Sequence, residues 1–232
     1  LEARRATVFK SKIKRIEMFC NSKGITPKTI MEIGAGHGVF LEEWRNEHPE
    51  VNILAIEPSP DLAKVLRIKD IEVLETVVEQ AIEWEARADL LTCFEVIEHA
   101  HDPLKFLQSF YSLVKKGGWI VISGLGVEGF DIQVLWEKSK SVFPPHHINF
   151  ISIKGFELLF ERAGFECVEV TTPGELDVDI VLNAFQEDNS IELGRFERLL
   201  LTRDEKDLEK FQEFLTQHKL SSHCWISARK PL

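Results

Sequence analysis

The residues that could do chemistry begin at Glu32, a carboxylate two positions ahead of Gly34 in the stretch TIMEIGAGHGVF. A glycine-rich turn at the mouth of a helix normally offers backbone N–H groups to phosphate. A carboxylate beside such a turn opposes a pyrophosphate and favours a cation. The glycine spacing agrees: Gly34, Ala35, Gly36 and Gly38 form G-x-G-x-G, and the next position, where the dinucleotide fingerprint needs Gly or Ala, is Val39. No G-K-[ST] is present, which excludes a P-loop. Glu57, followed by Pro58, ends the second strand-like run at the interval where an acidic residue accepts both ribose hydroxyls. Glu75 or Thr76 follows the third run and Glu95 the fourth. Ligands of open parallel sheets bind beyond these strand ends. The acidic edge therefore asks for a nucleoside that carries positive charge and no phosphate. S-adenosylmethionine, with its sulfonium and ammonium groups, meets that description.

The elements that must position these residues follow from periodicity. Apolar residues from Glu2 to Lys23 (Val8, Phe9, Ile13, Ile16, Phe19, Cys20) recur at helical steps, and Gly24 closes that helix. TIMEI, VNILAI, IEVLE, ADLLTCF and WIVISGL then alternate with helical segments starting near Val39, at Asp61, over Val78 to Trp84, and over Pro103 to Val114. Lys115-Lys116-Gly117-Gly118 reads as the end of the last of these, basic side chains facing the helix carbonyls. Such alternation predicts an α/β fold, a Rossmann-like doubly wound sheet. A helical segment near Phe130 to Lys140, the punctuated SVFPPHHINFIS and a helix from Ile153 to Ala163 capped by Ser152 come next. GFECVEVTT and HCWISARK read as sixth and seventh strands. The chain divides into an N-terminal helix (1–23), a core (24–172 with 223–232) and a helical insertion (173–222).

Composition bounds the rest. A chain of 232 residues, 44% hydrophobic, buries the core of one α/β domain. A net charge of −10 excludes a general nucleic-acid binder, and the one basic run, Lys10 to Arg15, reads as the solvated face of the first helix. Cys20, Cys93, Cys167 and Cys224 are scattered, without C-x-x-C pairing, and read as small core residues of a reducing compartment. No signal peptide or membrane-spanning run appears, so the expected location is cytoplasmic.

MEIGAGHGVF, AIEPSPDLA and DLLTCFEVIEHAHDPLKFL followed by LVKKGGWIVIS resemble the successive motifs of class I S-adenosylmethionine-dependent methyltransferases, from about Ile30 to Phe165 plus the final strand. FEVIEHAHDP, PPHHINFIS and FELLFERAGFE are similar to the branch holding ubiquinone-biosynthesis-type O-methyltransferases and sugar- and glycan-pathway methyltransferases. The resemblance implies a seven-stranded, mostly parallel sheet of order 3-2-1-4-5-7-6, the last strand antiparallel beside the fifth. It also implies that Glu32 and the Gly34 to Gly38 turn hold the methionine portion, Glu57 the ribose, Thr76 and Val77 the adenine edge, and that Phe94 and Glu95 lie beside the sulfonium. The sequence departs from the family where the helical insertion separates the last two strands.

Methyl transfer needs alignment, a dry site and, for a hydroxyl nucleophile, a base. Candidate bases are His146 or His147, after the stiff Pro144-Pro145, and His99 beside Glu98; His101 reads equally as a neighbour of a helix cap. Neighbours on an extended segment face opposite ways, so at most one of the His146 and His147 pair points inward, and a metal held by both is disfavoured. Phe130, Trp136, Phe143 and Phe150 read as ordinary core sooner than as an acceptor wall, and Asp177 and Asp179 as an exposed helix start. The expected acceptor is a small molecule: a hydroxyl or amine of a sugar or glycan precursor, or alternatively a quinone-type hydroxyl. A non-catalytic S-adenosylmethionine-binding assembly module and a nicotinamide oxidoreductase are the competing classes, and the insertion offers a homodimer contact.

Overall fold

A computed structural model describes residues 9–188 and 190–232. Helix α1 (Lys10–Lys23) ends at Gly24, which takes the left-handed conformation; the part of the expected helix from Glu2 to Val8 lies outside the described residues. Then come β1 (Thr29–Ile33), α2 (Val39–Glu47), β2 (Asn52–Ile56), α3 (Pro60–Ile68), β3 (Glu72–Leu74), β4 (Ala88–Phe94), α4 (Pro103–Leu113), β5 (Val114–Leu125) and α5 (Phe130–Leu135). The chain finishes with α6 (Ile153–Arg162), β6 (Glu166–Thr171), α7 (Asp177–Glu187), α8 (Arg195–Leu200), α9 (Glu205–Gln217) and β7 (His223–Arg229). The seven strands form one sheet in the order β3-β2-β1-β4-β5-β7-β6. All neighbours are parallel except β7, which runs antiparallel to both β5 and β6.

Strand residues alternate between two apolar layers, as the two-residue side-chain period requires. Met31, Ile33, Leu54 and Ile56 pack with Phe106, Phe110, Phe156 and Phe160 from α4 and α6. Ile30, Ile53 and Ala55 pack on the other face with Ile13, Ile16, Phe40, Trp44 and Leu66 from α1, α2 and α3. Three helices separate β6 from β7 and fold onto α5, where Val181, Ile191 and Leu193 surround Leu135. Among the described residues no helix is long and apolar enough to cross a membrane.

The structure corrects four local expectations. In place of a helix from Val78 to Trp84 there are two 3₁₀ turns, Val78–Gln80 and Ile82–Trp84. Val78, Ala81 and Trp84 are all buried, and their three-residue spacing matches the 3₁₀ period. Lys115 to Gly118 belong to β5, which begins directly after α4; the basic partner of the helix carbonyls is Lys230, whose Nζ donates to Tyr111 O at 2.7 Å and Val114 O at 2.9 Å. Cys167 is exposed, whereas Cys20, Cys93 and Cys224 are buried, and all four are free thiols. Asp177 is buried: Ser221 Oγ (2.6 Å), Ser222 N–H (2.8 Å) and Gln212 Nε2 (2.8 Å) donate to its carboxylate, while Asp179 is exposed as expected.

Two glycines of the first turn separate local from tertiary constraint. Gly36 has φ 57° and open space where a Cβ would stand, whereas at Gly38 (φ 69°) a Cβ would meet Leu66 Cδ2 at 2.4 Å. Gly36→Ala should therefore cost only the left-handed backbone penalty, about 1–2 kcal/mol. Gly38→Ala adds an overpacking cost and should lose roughly 2–4 kcal/mol. Urea unfolding of the two variants measures the difference.

Candidate active site

β1 delivers Glu32 to the carboxyl edge of the sheet, where the chain turns through Gly34 (φ 68°), Gly36 and Gly38 before α2 begins. Gly34 N–H donates to Ile56 O and Gly38 N–H to Ala35 O, both at 2.8 Å, which ties the turn to β2 and closes it on itself. Glu57, at the end of β2, is buried and accepts from Gly36 N–H at 2.8 Å and Ser59 N–H at 2.9 Å. Its first duty is thus to clamp the glycine turn. Further lone pairs on each carboxylate oxygen remain for a ribose. Pro58 follows on the exposed side, and Thr76 and Val77 lie just past β3, Val77 being exposed.

Glu32 is buried, and its Oε2 has no hydrogen-bond partner. Burial, with a smaller contribution from Glu57 and opposition from Lys12, pushes its carboxyl up to about 8. Glu32, Gly34, Ala35, Gly36 and Phe94 line a cleft of about 230 Å³ together with Lys12 from α1. Lys12 Nζ also sits 4.3 Å from the centroid of the Phe94 ring.

Beside this cleft a larger cavity of about 600 Å³ is lined by Lys12, Arg15, Glu95, Leu125, Asp177, His223 and Trp225, among others. Lys12 and Arg15 are half-buried while Lys10 and Lys14 are exposed, so the basic run is only in part a solvated face. Glu95 holds a left-handed backbone (φ 56°), rare for a residue with a side chain. Ser123 Oγ donates to its Oε1, and His223 Nδ1 lies 3.3 Å from the same oxygen. Trp225 Nε1–H donates to His223 Nε2 at 2.9 Å. Indole is only a donor, so the neutral imidazole must carry its proton on Nδ1, the nitrogen that faces Glu95. Burial lowers the His223 pKa, against the pull of Glu95, and keeps the ring neutral. Sequence reasoning missed His223. Its one available signal was a position at the head of the last strand, which the resemblance places beside β5.

The three histidines singled out from the sequence come together elsewhere. His99 and His147 rings lie 4.9 Å apart; His99 Nδ1 bonds His146 O at 2.8 Å and His147 Nδ1 bonds Ser141 O at 2.7 Å. His146 itself is exposed and stacks on Phe143, and none of the three lines either cavity. Glu98, whose carboxyl burial and Glu95 push up to about 7, joins His99 and His147 in a cluster in which one side-chain N or O atom of each lies within 4.8 Å of the others. Trp136 and Phe143 are exposed, not core as expected; Phe130 packs edge-on against Phe211, under the insertion.

The family profile described as methyltransferase domain matches residues 2–170. The chain belongs to the class I S-adenosylmethionine-dependent methyltransferases. Relatives of this methyltransferase include proteins named ubiquinone biosynthesis O-methyltransferase from Nitrosomonas europaea, 33% identical over 109 residues (44% of this chain, 46% of that one). The namesake from Vibrio cholerae is 30% identical over 109 residues (45% and 44%), so the chain spans less than half the length of these relatives. Among solved structures, a protein from Thermotoga maritima described as a possible histamine N-methyltransferase shares the fold with a TM-score of 0.63 at 19% identity, over 97% of this chain and 90% of that one. A methyltransferase from Archaeoglobus fulgidus has a TM-score of 0.63 at 18% identity, over 97% and 94%.

The cofactor of this methyltransferase is S-adenosylmethionine, and the buried, unpartnered Glu32 oxygen fits it. In the free protein Glu32 is protonated at neutral pH, because its value stands near 8. An ammonium group against it favours the ionised form and lowers that value. Binding should then release a proton near pH 7 and tighten as pH rises toward about 8, levelling off above. Calorimetric titration in two buffers of different ionisation heat measures the release, which Glu32→Gln should abolish.

Proposed function

We propose that this chain transfers the methyl group of S-adenosylmethionine to a hydroxyl of a small molecule held in the larger cavity, with Glu95 taking the hydroxyl proton. One observation carries the reading: consecutive residues face two compartments, Phe94 the cofactor cleft and Glu95 the adjoining cavity. A nucleophile against Glu95 is thus next to the site where the sulfonium belongs. The cofactor, when bound, supplies the electrophilic methyl. It would also take back the electron pair of the broken C–S bond on its sulfur as the acceptor oxygen gains the methyl, while the Glu95 carboxylate would take the hydroxyl proton.

Ser123 Oγ donates to Oε1 and His223 Nδ1 faces the same oxygen at 3.3 Å, which leaves Oε2 to accept the proton. The left-handed backbone at Glu95 costs about 1–2 kcal/mol and points to a conformation kept for function. The O-methyltransferase names of the relatives support a hydroxyl acceptor, the quinone-type alternative of the sequence reading; nothing in those names favours a sugar or glycan.

Glu95→Gln preserves shape and hydrogen bonding but removes the base. It should lower kcat on hydroxylated aromatic acceptors by about 10²-fold or more, with the dissociation constant of S-adenosylhomocysteine changed less than about twofold. Undiminished turnover by this variant would refute the role. His223→Gln, which removes the Trp225-held ring facing Glu95, should reduce kcat less and leave cofactor binding intact.

A further inference from the structure

Accepting the larger cavity as the acceptor site, we propose that the acceptor carries a small oxyanion, a carboxylate or phosphate, which Arg15 binds while the nucleophile rests against Glu95. Arg15 is half-buried in the cavity wall, and its Cζ stands 5.2 Å from the centroid of the Trp225 ring. Among the described residues its guanidinium has no ion pair and no hydrogen bond. Comparable side chains are matched: Arg229 pairs with Glu166, Arg87 with Glu72 at 3.0 Å and Lys115 with Asp89 at 2.8 Å. The chain holds 38 acidic residues against 28 Lys and Arg, so an unmatched guanidinium is not explained by a shortage of partners.

The acids that share the cavity are already engaged. Glu95 accepts from Ser123 and faces His223, Asp177 accepts from Ser221, Ser222 and Gln212, and Glu175 is exposed at the rim. Stacking on the indole satisfies the face of the guanidinium but not its edge, where five N–H donors lie in the plane suited to a two-oxygen anion. A salt-bridging anion there is held by charge-assisted, paired hydrogen bonds.

Trp225 joins the two ends of the site: Arg15 lies over its ring, and its N–H holds His223, which in turn faces Glu95. An acceptor lying along this wall has its anion at one end and its hydroxyl at the other. The cofactor carboxylate is the rival partner for Arg15. However, Lys12 lines both compartments while Arg15 lines only the larger one.

The test needs no known acceptor. The full chain, saturated with S-adenosylhomocysteine, is titrated calorimetrically with benzoate, phenylphosphonate and the neutral benzyl alcohol. At least one anion should bind about tenfold or more tightly than the alcohol, and which one does so separates carboxylate from phosphate recognition. Arg15→Gln should remove that preference, and Arg15→Lys should keep part of it, with S-adenosylhomocysteine affinity changed less than about twofold in both. Equal binding of all three probes, or none, overturns the proposal, as does an anion preference that survives Arg15→Gln. A parallel loss of cofactor affinity in Arg15→Gln also overturns it, assigning Arg15 to the cofactor. None of these results alters the Glu95→Gln prediction, which stands or falls on kcat.

Discussion

A carboxyl group with one oxygen unpartnered inside the protein is the constraint on which the rest of the site depends. Ionising Glu32 without a counter-charge would cost several kcal/mol, so the free protein holds it neutral. A ligand that brings its own positive charge recovers that cost, and one that brings phosphate adds to it. The burial of one side chain at the end of β1 thus favours a cationic ligand over a phosphate. Glu57 shows a different use of the same residue type: both of its oxygens take backbone N–H groups and so tie the glycine turn to the end of β2.

The sheet topology extends this chemistry to the acceptor side. Because β7 inserts antiparallel between β5 and β6, its first residues stand at the carboxyl edge of β5, with His223 opposite Leu125. His223 and Trp225 thus reach the end of β4 and hold Glu95. The helical insertion is bound to the same place, since Asp177 at the start of α7 accepts from Ser221 and Ser222 just before β7. Asp177 and Glu95 are two residues apart in this chain of contacts, and the segment before β7 helps to wall the larger cavity.

The sheet order came from the resemblance to the methyltransferase family, whereas the glycine turn and the acidic strand ends were legible from the sequence because they depend on local spacing and on intervals between neighbouring elements. The Ser152 cap of α6 was legible for the same reason, and its side chain accepts from Gly155 N–H. The contact of Glu95 with His223 was not, because it joins residues brought together only by the final strand. The histidines of HHINF were candidate bases by type and position; in the fold His147 bonds Ser141 O, His146 is exposed on Phe143, and neither lines either cavity. Lys12 and Arg15 read as solvated because charge alone does not reveal which face of α1 borders a cavity.

The account is tested most directly by a crystal structure with S-adenosylhomocysteine. It predicts the ammonium group on Glu32, the ribose hydroxyls on Glu57 and the sulfur facing the cavity that holds Glu95 and Arg15. A sulfur turned away from Glu95, or an ammonium group that makes no contact with Glu32, would contradict it.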